Sequence, residues 1–494
     1  MKRTEAEGRA FLQAVEDGLH GTDRAGTTIA AQATPAGAGG IAVVRISGPD
    51  ARTVLEALFK PSSAAFAGFV PWKLHHGTVL DREGAPLDDA LGVFMPGPKT
   101  FTGEDCAEIH CHGGQAIVRA LLASCFARGV QPAARGEFSR RAYLNGRMDL
   151  SQAEAVAEMI AAPTREAAAL SLKRLEGALG RRVEAVRESL EGLRVQMSLA
   201  VDFPDDEVEC LPPDQFKQVC QEACQALSKL AQGASRARLV EQGAKVVLVG
   251  EVNAGKSSLM NALLGRSRAL VTDVPGTTRD FLEETLDFAG LPVRLVDTAG
   301  LRDSSDPVER LGIQRSREQL EDADLALLVV DGAVHADPEA YLQGEFACGV
   351  LQAVGEKPLI LVWNKADVAR PEAFPPASFA QGTDSAGASK RAALLVSATQ
   401  GEHLDDLATE ARRLLEAGLP AIEDGVAPNV RQAEAMAQAA SELSSLIEDI
   451  DDGLPYDVLS VRLDFACACL RDIVGLGTSQ DVLNRVFASF CIGK

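Results

Sequence analysis

The sequence has no long apolar run, since none approaches the ~20 consecutive residues that a membrane-spanning helix needs. Residues 1–26 lack the apolar core of a secretory signal, and they carry too many acidic side chains for a typical transit peptide. We therefore predict a cytoplasmic protein without membrane contact, in which residues 1–26 form an N-terminal extension.

Positive charge is also scarce. The chain has 49 lysines and arginines against 70 aspartates and glutamates, a net charge of −21. Such a surface repels polyanions on average, so a nucleic acid would have to meet a local basic patch or be held mainly by a partner protein.

The ten cysteines show neither even pairing nor the CxxC spacing of a zinc or redox site. Cys220 and Cys224 would share one face of a helix, and Cys467 and Cys469 lie two residues apart. Reduced thiols in a cytosolic protein explain this pattern most simply.

A chain of 494 residues suggests about three domains. Residues 27–147 alternate strand-like and helical segments, which is typical of a compact α+β domain. The predicted strands are Ile29–Ala33, Ile41–Ile46, Leu74–Leu80, Asp89–Met95 and Cys106–Cys111, and the predicted helices are about Asp50–Phe59 and Gln115–Ala127.

Glu108, His110 and His112 would face one side of a strand. A metal site is one interpretation, but no further ligand set is evident, so we favour a packed or hydrogen-bonded cluster. Arg45 and Arg147 could serve an anionic ligand, although the local sequence would more readily make them surface arginines.

Residues 148–242 and 421–494 are helical in texture and flank residues 243–420, where strands and helices alternate. The pattern predicts a multidomain α/β protein: an N-terminal α+β domain, a helical domain, and a doubly wound α/β domain inserted into the helical domain. In the first helical region, an apolar helix stripe is formed by Val183, Val186, Leu190, Leu193, Met197 and Val201, it breaks at Asp202–Asp206, and a second helix is predicted over Pro213–Ala234. In the α/β region, the predicted strands are Val246–Val249, Val293–Val296, Leu325–Val330, Leu359–Trp363 and Leu394–Val396. In the second helical region, another apolar stripe is formed by Val430, Ala433, Ala437, Ala440, Leu443 and Ile447.

The segment Gly250–Ser258 (GEVNAGKSS) matches the phosphate loop G-x-x-x-x-G-K-[ST], between a buried strand and a helix. Its glycines allow the backbone to wrap closely around phosphates. Lys256 can reach the β- and γ-phosphates, and the Ser257 hydroxyl can bind Mg²⁺.

Motifs later in the chain favour guanine over adenine as the base of the bound nucleotide. Asn364-Lys365-Ala366-Asp367 follows a strand, and the Asp367 carboxylate can accept hydrogen bonds from guanine N1–H and the 2-amino group, which adenine lacks as a pair. Ser397-Ala398 matches the loop that contacts guanine O6. Asp297-Thr298-Ala299-Gly300 would hold Mg²⁺ through water and sense the γ-phosphate, and Thr278 would be the switch threonine for Mg²⁺.

The residue after Asp297-Thr298-Ala299-Gly300 is Leu301, which cannot orient water as the glutamine of many small GTPases does at this position. Either hydrolysis is very slow or another group acts. Glu309 is a candidate, although its position alone would suggest an ordinary exposed glutamate.

At this point the sequence resembles the MnmE (TrmE) family of bacterial tRNA-modification GTPases, over about Thr28 to Lys494. The shared segments are Ala33-Thr34-Pro35, Arg45-Ile46-Ser47-Gly48, Phe101-Thr102-Gly103-Glu104-Asp105, Gly136-Glu137-Phe138, Asp149-Leu150-Ser151-Gln152-Ala153-Glu154-Ala155, Asp202-Phe203-Pro204, Asn253-Ala254-Gly255-Lys256-Ser257-Ser258 and the terminal Phe490-Cys491-Ile492-Gly493-Lys494.

The resemblance implies a homodimer formed by N-terminal folate-binding domains and a complex with the FAD-dependent partner MnmG (GidA). Together they would add an aminomethyl or carboxymethylaminomethyl group at C5 of the wobble uridine of certain tRNAs. The carbon would come from 5,10-methylene-tetrahydrofolate, with 5-formyl-tetrahydrofolate as a related ligand. GTP hydrolysis would depend on Mg²⁺, on K⁺ and on pairing of the GTPase domains, and the tRNA would be held mainly by the partner.

The resemblance also implies roles for single residues. Glu309 matches a water-positioning glutamate, and the role of Cys491 is left open. The implied GTP-binding residues are Asn253, Ala254, Gly255, Lys256, Ser257, Ser258, Thr272, Asp273, Val274, Pro275, Gly276, Thr277, Thr278, Asp297, Thr298, Ala299, Gly300, Asn364, Lys365, Asp367, Ser397 and Ala398. The implied metal ligands are Ser257 and Thr278 for Mg²⁺, and Asn253, Thr272, Val274 and Thr277 for K⁺. The implied folate-binding residues are Arg45, Glu108, Arg147 and Lys494.

The sequence departs from the family pattern at Ala36–Gly40, at Arg147, where lysine is common, and at Glu251-Val252, where Arg-Pro is common. Two alternative functions can be weighed against this one. A ribosome-assembly switch GTPase would carry a basic RNA-binding appendage, which we do not find. A nucleotide-binding scaffold without turnover would need a damaged motif, and all the motifs are intact.

Overall fold

The computed structural model describes residues 26–202, 212–267, 283–297, 319–376, 379 and 390–494. The chain divides into two compact units. The first comprises Met1–Ala157, Arg174–Leu211 and Gly453–Lys494, and the second comprises Glu158–Lys173 and Pro212–Asp452. Among the described residues, no helix combines the length and the apolar character needed to cross a membrane.

The first unit contains a seven-stranded sheet with the strand order β3-β4-β5-β6-β2-β1-β7. All neighbouring pairs are antiparallel except β1 and β7, which are parallel. All five predicted strands are confirmed, with shifted ends. The strands are β1 Ile29–Gln32, β2 Gly39–Ser47, β3 Phe59–Pro61, β4 His75–Leu80, β5 Pro86–Met95, β6 Cys106–Gly113 and β7 Gln131–Pro132.

Two helices, α1 Ala51–Leu58 and α2 Gln115–Phe126, cover one face of this sheet and confirm the predicted helices. The alternation along β2 explains the packing, because Ala42, Val44 and Ile46 lie in the core with these helices. Arg45 therefore lies on the opposite face, where its guanidinium meets aromatic rings.

The remaining helices of the first unit include the long α6, Ala178–Asp202, which packs against α14, Tyr456–Val474. In the stripe predicted for α6, Val183, Leu190, Leu193 and Met197 are buried, which confirms the stripe over this stretch. The predicted break continues beyond Asp202 into residues outside the described part. The other helices are α3 Glu137–Leu144, α4 Leu150–Ala161 and α15 Gln480–Ala488. The last residues of α4 and most of α5, Arg165–Leu175, belong to the second unit.

The second unit contains a six-stranded sheet with the order β13-β12-β11-β8-β10-β9. All neighbouring pairs are parallel except β9 and β10, as expected for a doubly wound sheet with an antiparallel edge strand. The five predicted strands are confirmed with shifted ends, although the strand predicted at Leu394–Val396 overlaps the observed one only at Leu394 and Leu395, and β9 was not predicted. The strands are β8 Ala244–Val249, β9 Glu283–Phe288, β10 Leu291–Asp297, β11 Leu325–Asp331, β12 Leu359–Asn364 and β13 Arg391–Leu395.

Helices connect or flank these strands. They are α7 Pro213–Gln232, α8 Ala234–Gln242, α9 Lys256–Ser267, α10 Pro338–Leu342, α11 Glu345–Val354, α12 Leu404–Glu416 and α13 Val430–Asp451, with a 3₁₀ turn at Glu423–Gly425.

Two helix predictions in this unit need correction. The helix predicted for Pro213–Ala234 ends at Gln232, and a second helix follows Gly233. The stripe predicted for α13 is wrong at Val430 and Ala437, which are exposed. The buried residues of α13 include Met436, Ala439, Ala440, Leu443 and Leu446. Alanines occur on both faces of this helix, so their spacing did not fix which face is buried.

Candidate functional site

The phosphate loop connects the carboxyl end of β8 to the first turn of α9. A Cβ atom at Gly250 would clash with the Val329 carbonyl oxygen, and one at Gly255 would clash with the Asn364 amide. Gly255 and Asn253 both have positive φ angles, +92° and +66°. The loop thus needs glycine at the two positions where other segments of the same chain approach its backbone most closely.

Lys256 closes this loop. Its side chain is buried, and its Nζ donates to the carbonyl oxygens of Gly250 and Glu251, both at 2.8 Å. An ammonium group held across the mouth of a glycine-rich loop is suited to bind phosphate oxygens as a point charge. Ser257 follows in the first turn of α9, as the sequence predicts for a phosphate loop.

Asn364 joins three loops. It is the last residue of β12 and is almost completely buried. Its Nδ2 donates to the Ala254 carbonyl oxygen at 3.0 Å, and its Oδ1 accepts from the Ala398 backbone N–H at 3.1 Å. The phosphate loop and the segment after β13 are therefore fastened to one side chain at the carboxyl edge of the sheet.

Asp367 and Ser397 are also brought together. The Ser397 hydroxyl donates to Asp367 Oδ1 at 2.5 Å, and Thr399 Oγ1 lies 3.4 Å from Asp367 Oδ2. The hydrogen bond from Ser397 lowers the pKa of Asp367, so this carboxylate is ionised at neutral pH. An ionised carboxylate is the acceptor that the N1–H and 2-amino groups of guanine require.

Of the predicted GTP-binding residues, those on the phosphate loop, on the Asn364–Asp367 loop and at Ser397–Ala398 therefore lie around one end of the sheet. Asp297 ends β10 at the same edge. The other predicted residues, Thr272–Thr278, Thr298–Gly300 and Glu309, lie outside the described residues, as does Leu301. The predicted Mg²⁺ set is thus described only at Ser257, and the predicted K⁺ set only at Asn253.

Sequence reasoning missed three side chains at this edge. Asp331 Oδ2 binds Lys365 Nζ at 2.5 Å, and His335 Nε2 lies 3.0 Å from Glu251 Oε2. A polar residue at the end of a fully buried strand was the available signal for Asp331. The spacing of His335 and Glu251, 84 residues apart, carries no local signal.

A second cluster lies on the N-terminal sheet. Arg45 Nε donates to Glu108 Oε1 at 2.9 Å, across the β2–β6 pair. The Arg45 guanidinium lies over the rings of Phe101 and Phe138, 5.5 and 5.8 Å from their centroids. Its Nη1 atom is buried and makes no hydrogen bond to the described residues. An orphaned guanidinium nitrogen beside aromatic rings suits an anionic or carbonyl-bearing ligand with a flat apolar part.

The C-terminus reaches the same cluster. Ile492 forms a β-bridge with Arg135, and a Cβ atom at Gly493 would clash with the Gln32 carbonyl. Burial lowers the pKa of Lys494, the positive charge of Arg45 lowers it further, and the charge of Glu108 raises it. Lys494 is thus within electrostatic reach of Arg45 and Glu108.

Arg147, the remaining predicted folate residue, makes a contact outside the Arg45 cluster. Its Nε donates to the Thr100 carbonyl oxygen at 3.0 Å, which holds it at the loop that carries Phe101. Cys491, in contrast, is an exposed free thiol.

The histidines near this cluster do not form the metal site considered above. Both Glu108 oxygens are engaged, Oε1 by Arg45 and Oε2 by His110 at 3.2 Å, while His112 pairs with Asp88 at 2.8 Å. The hydrogen bond from His110, more than the charge of Arg45, lowers the pKa of Glu108. The residues that the structure describes contain no group of three metal-ligating side chains, and Glu108 and His110 form a hydrogen-bonded cluster.

Comparison with known proteins adds independent findings. A family model described as the GTP-binding protein TrmE N-terminus matches residues 28–147, and the MnmE helical domain model matches residues 150–491. The chain is 51% identical over 470 residues to the tRNA modification GTPase MnmE of Nitratidesulfovibrio vulgaris (strain DP4), covering 94% of this chain and 99% of that protein. The tRNA modification GTPases MnmE of Lawsonia intracellularis (strain PHE/MN1-00) and Roseiflexus sp. (strain RS-1) are 44% and 43% identical, with the same coverage.

Proposed function

The chain belongs to the MnmE family of tRNA modification GTPases, and from that premise we propose a specific reaction and mechanism for it. Family membership makes the chain a GTP-binding, GTP-hydrolysing enzyme that takes part in tRNA modification. The proposal concerns the modified base, the one-carbon donor, the partner and the way in which hydrolysis is activated.

The proposed reaction is the addition of an aminomethyl or carboxymethylaminomethyl group at C5 of the wobble uridine, position 34 of certain tRNAs. The methylene carbon would come from 5,10-methylene-tetrahydrofolate, the nitrogen from an amine co-substrate, and the redox chemistry from the FAD-dependent partner MnmG. The chain works as a homodimer in the cytoplasm. Because its net charge is −21, the partner holds most of the tRNA.

The observation that best supports a GTP-driven role is the bridge made by Asn364. This one buried side chain fastens the phosphate loop at Ala254 to the base-contacting segment at Ala398. Phosphate and base recognition are then mechanically coupled, so the occupancy of one affects the order of the other. Asp367, held by Ser397, supplies the guanine-specific acceptor.

For hydrolysis, we assign the phosphate contacts to Lys256 and the Mg²⁺ contacts to Ser257 and Thr278. Glu309 orients the attacking water in place of the glutamine that Leu301 replaces. Asn253, with Thr272, Val274 and Thr277, would hold K⁺ when two GTPase domains pair, and the ion would supply the positive charge that an arginine finger provides in other GTPases.

The Arg45 cluster is our candidate for the folate site. The orphaned Nη1 of Arg45, the rings of Phe101 and Phe138 and the nearby ammonium of Lys494 match the glutamate tail and flat pterin ring of a folate. Glu108, which pairs with Arg45, and Arg147 complete the proposed set. The bound folate would supply the one-carbon unit, and these residues would bind and orient it.

We also propose the domain boundaries given by the sequence: residues 27–147 for folate binding and dimerisation, residues 148–242 and 421–494 for the helical domain, and residues 243–420 for the GTPase domain. Residues 1–26 remain an extension.

The proposal is tested by steady-state GTP turnover of the full-length protein in 100 mM KCl and in 100 mM NaCl. We expect turnover at least about tenfold faster in KCl, since one positive charge at the transition state is typically worth ~10³ in rate. The Glu309→Ala variant should retain GTP binding and lose turnover in both salts. Equal rates in the two salts, or full activity of the variant, would refute the proposed activation mechanism.

A further inference from the structure

The turn that follows β11 contacts two nucleotide loops at once. Asp331, the last residue of β11, accepts a hydrogen bond from Lys365 Nζ at 2.5 Å and one from the Ala333 backbone N–H at 3.0 Å. Four residues further on, His335 Nε2 lies 3.0 Å from Glu251 Oε2 in the phosphate loop. The turn from Asp331 to His335 therefore links the base-contacting loop to the phosphate loop.

The His335 ring is fixed by its surroundings. Its backbone N–H donates to the Asp331 carbonyl oxygen at 3.0 Å. The imidazole packs edge-on against Tyr341, with ring centroids 4.7 Å apart, and Tyr341 packs in turn against Trp363, 6.0 Å away. Tyr341 and Trp363 are buried, so this histidine rests on the rigid core of the unit.

Glu251 is held at both of its ends. Its carboxylate meets His335, while its backbone carbonyl oxygen accepts hydrogen bonds from Lys256 Nζ at 2.8 Å and from the Ala254 backbone N–H at 3.3 Å. Moving Glu251 therefore moves the atoms against which the phosphate-binding lysine rests. Without a partner, its carboxylate would also place a negative charge on the loop that receives a polyanion.

We propose that His335 is a positioning residue for GTP binding, which acts through Glu251 by fixing the phosphate loop and offsetting the carboxylate charge. This inference rests on the proposed nucleotide site and adds a residue to it. The imidazole Nε2–H donates the hydrogen bond to the Glu251 carboxylate.

Among the residues that the structure describes, other charged groups near the pair have partners of their own. Lys256 is directed at the loop carbonyls, and Asp331 is paired with Lys365. Burial, with a contribution from the charge of Glu251, raises the pKa of the Tyr341 hydroxyl, so Tyr341 stays neutral.

The test is a double-mutant cycle on the full chain, with a nonhydrolysable GTP analogue titrated by calorimetry. The variants are His335→Asn, Glu251→Gln and the double variant. Side chains at this pair are 29% and 43% exposed, so the interaction is modest, and we expect His335→Asn to weaken binding by about threefold to fivefold. In the Glu251→Gln background the same substitution should change affinity by less than about twofold.

A matched control accompanies the cycle. His76→Asn is the matched control, since His76 pairs with Asp89 at 3.0 Å in the other unit, and it should leave affinity unchanged.

The outcomes are distinct. An equal loss in both backgrounds would mean that His335 only packs against Tyr341, and no loss at all would mean that the pair has no role; either result overturns the inference. If His335→Asn melts at a much lower temperature, recovery of affinity in the double variant still supports it, and lack of recovery refutes it. If the wild type fails to bind the analogue, the proposed nucleotide site itself fails.

Discussion

Replacing Asn364 by alanine should separate the phosphate loop from the loop that contacts the base. The change removes two hydrogen bonds and leaves two groups without their partner, the Ala254 carbonyl and the Ala398 N–H. Both residues are buried, so water compensates poorly.

The size of the effect follows from these contacts. Leaving a buried polar group unsatisfied costs about 1–3 kcal/mol, so two such groups predict a loss of about 2–6 kcal/mol. If the cost appears mainly in binding, because GTP needs both loops in place, affinity falls by about thirtyfold to twenty-thousandfold. Asn364→Asp keeps the acceptor for Ala398, but it places a buried carboxylate oxygen against the Ala254 carbonyl oxygen, so it should bind GTP no better than Asn364→Ala.

Calorimetric titration with GTP and thermal melting in the presence and absence of GTP would measure this. Asn429→Ala is the matched control, because Asn429 also makes two side-chain hydrogen bonds but caps α13. It should lower the melting temperature, as loss of a cap does, without changing GTP affinity. If Asn364→Ala binds GTP within about threefold of the wild type, the bridge does not organise the site.

Three further predictions follow. Asp367→Asn should weaken GTP binding by about a hundredfold or more and improve xanthosine triphosphate binding, because an amide can donate to the xanthine carbonyl; a parallel loss for both nucleotides would contradict this. Arg45→Ala should abolish binding of 5-formyl-tetrahydrofolate and leave GTP affinity unchanged, and retention of folate binding in a fluorescence titration would remove the cluster from the proposed site. The pKa of His112 is raised above 6.5 by its hydrogen bond to Asp88, so this pair stabilises the fold below pH 6.5 and the stabilisation is lost as pH rises through the folded-state pKa; an NMR titration should show the midpoint return towards 6.5 in Asp88→Asn, and an unchanged midpoint would contradict the pairing.

Much of the fold could be predicted because buried strands and amphipathic helices leave local periodicity in the sequence. The apolar runs at Leu325–Asp331 and Leu359–Asn364 are fully buried strands and were readily identified. The short strands at Phe59–Pro61 and Gln131–Pro132 were missed because two or three residues carry no period. The edge strand Glu283–Phe288 was missed because its acidic and polar residues hide the buried Leu286 and Phe288.

The candidate site could likewise be predicted only in part. The phosphate loop and the guanine motif follow strands, so their types and spacing identified them. The bridge from Asn364 to Ala254 spans 110 residues, and the contact of His335 with Glu251 spans 84. Such contacts depend on strand order, which puts β11 beside β8 and β12 beside β11. Sequence spacing alone cannot supply this order.

We propose that this chain uses GTP to modify wobble uridine. Mass spectrometry of the tRNA nucleosides from a strain lacking this chain tests it most directly. We predict that the strain loses the aminomethyl or carboxymethylaminomethyl group at C5 of uridine 34, and that the wild-type gene restores it while Lys256→Ala does not. Unchanged modified uridine in the deletion strain, or full restoration by Lys256→Ala, would contradict the account.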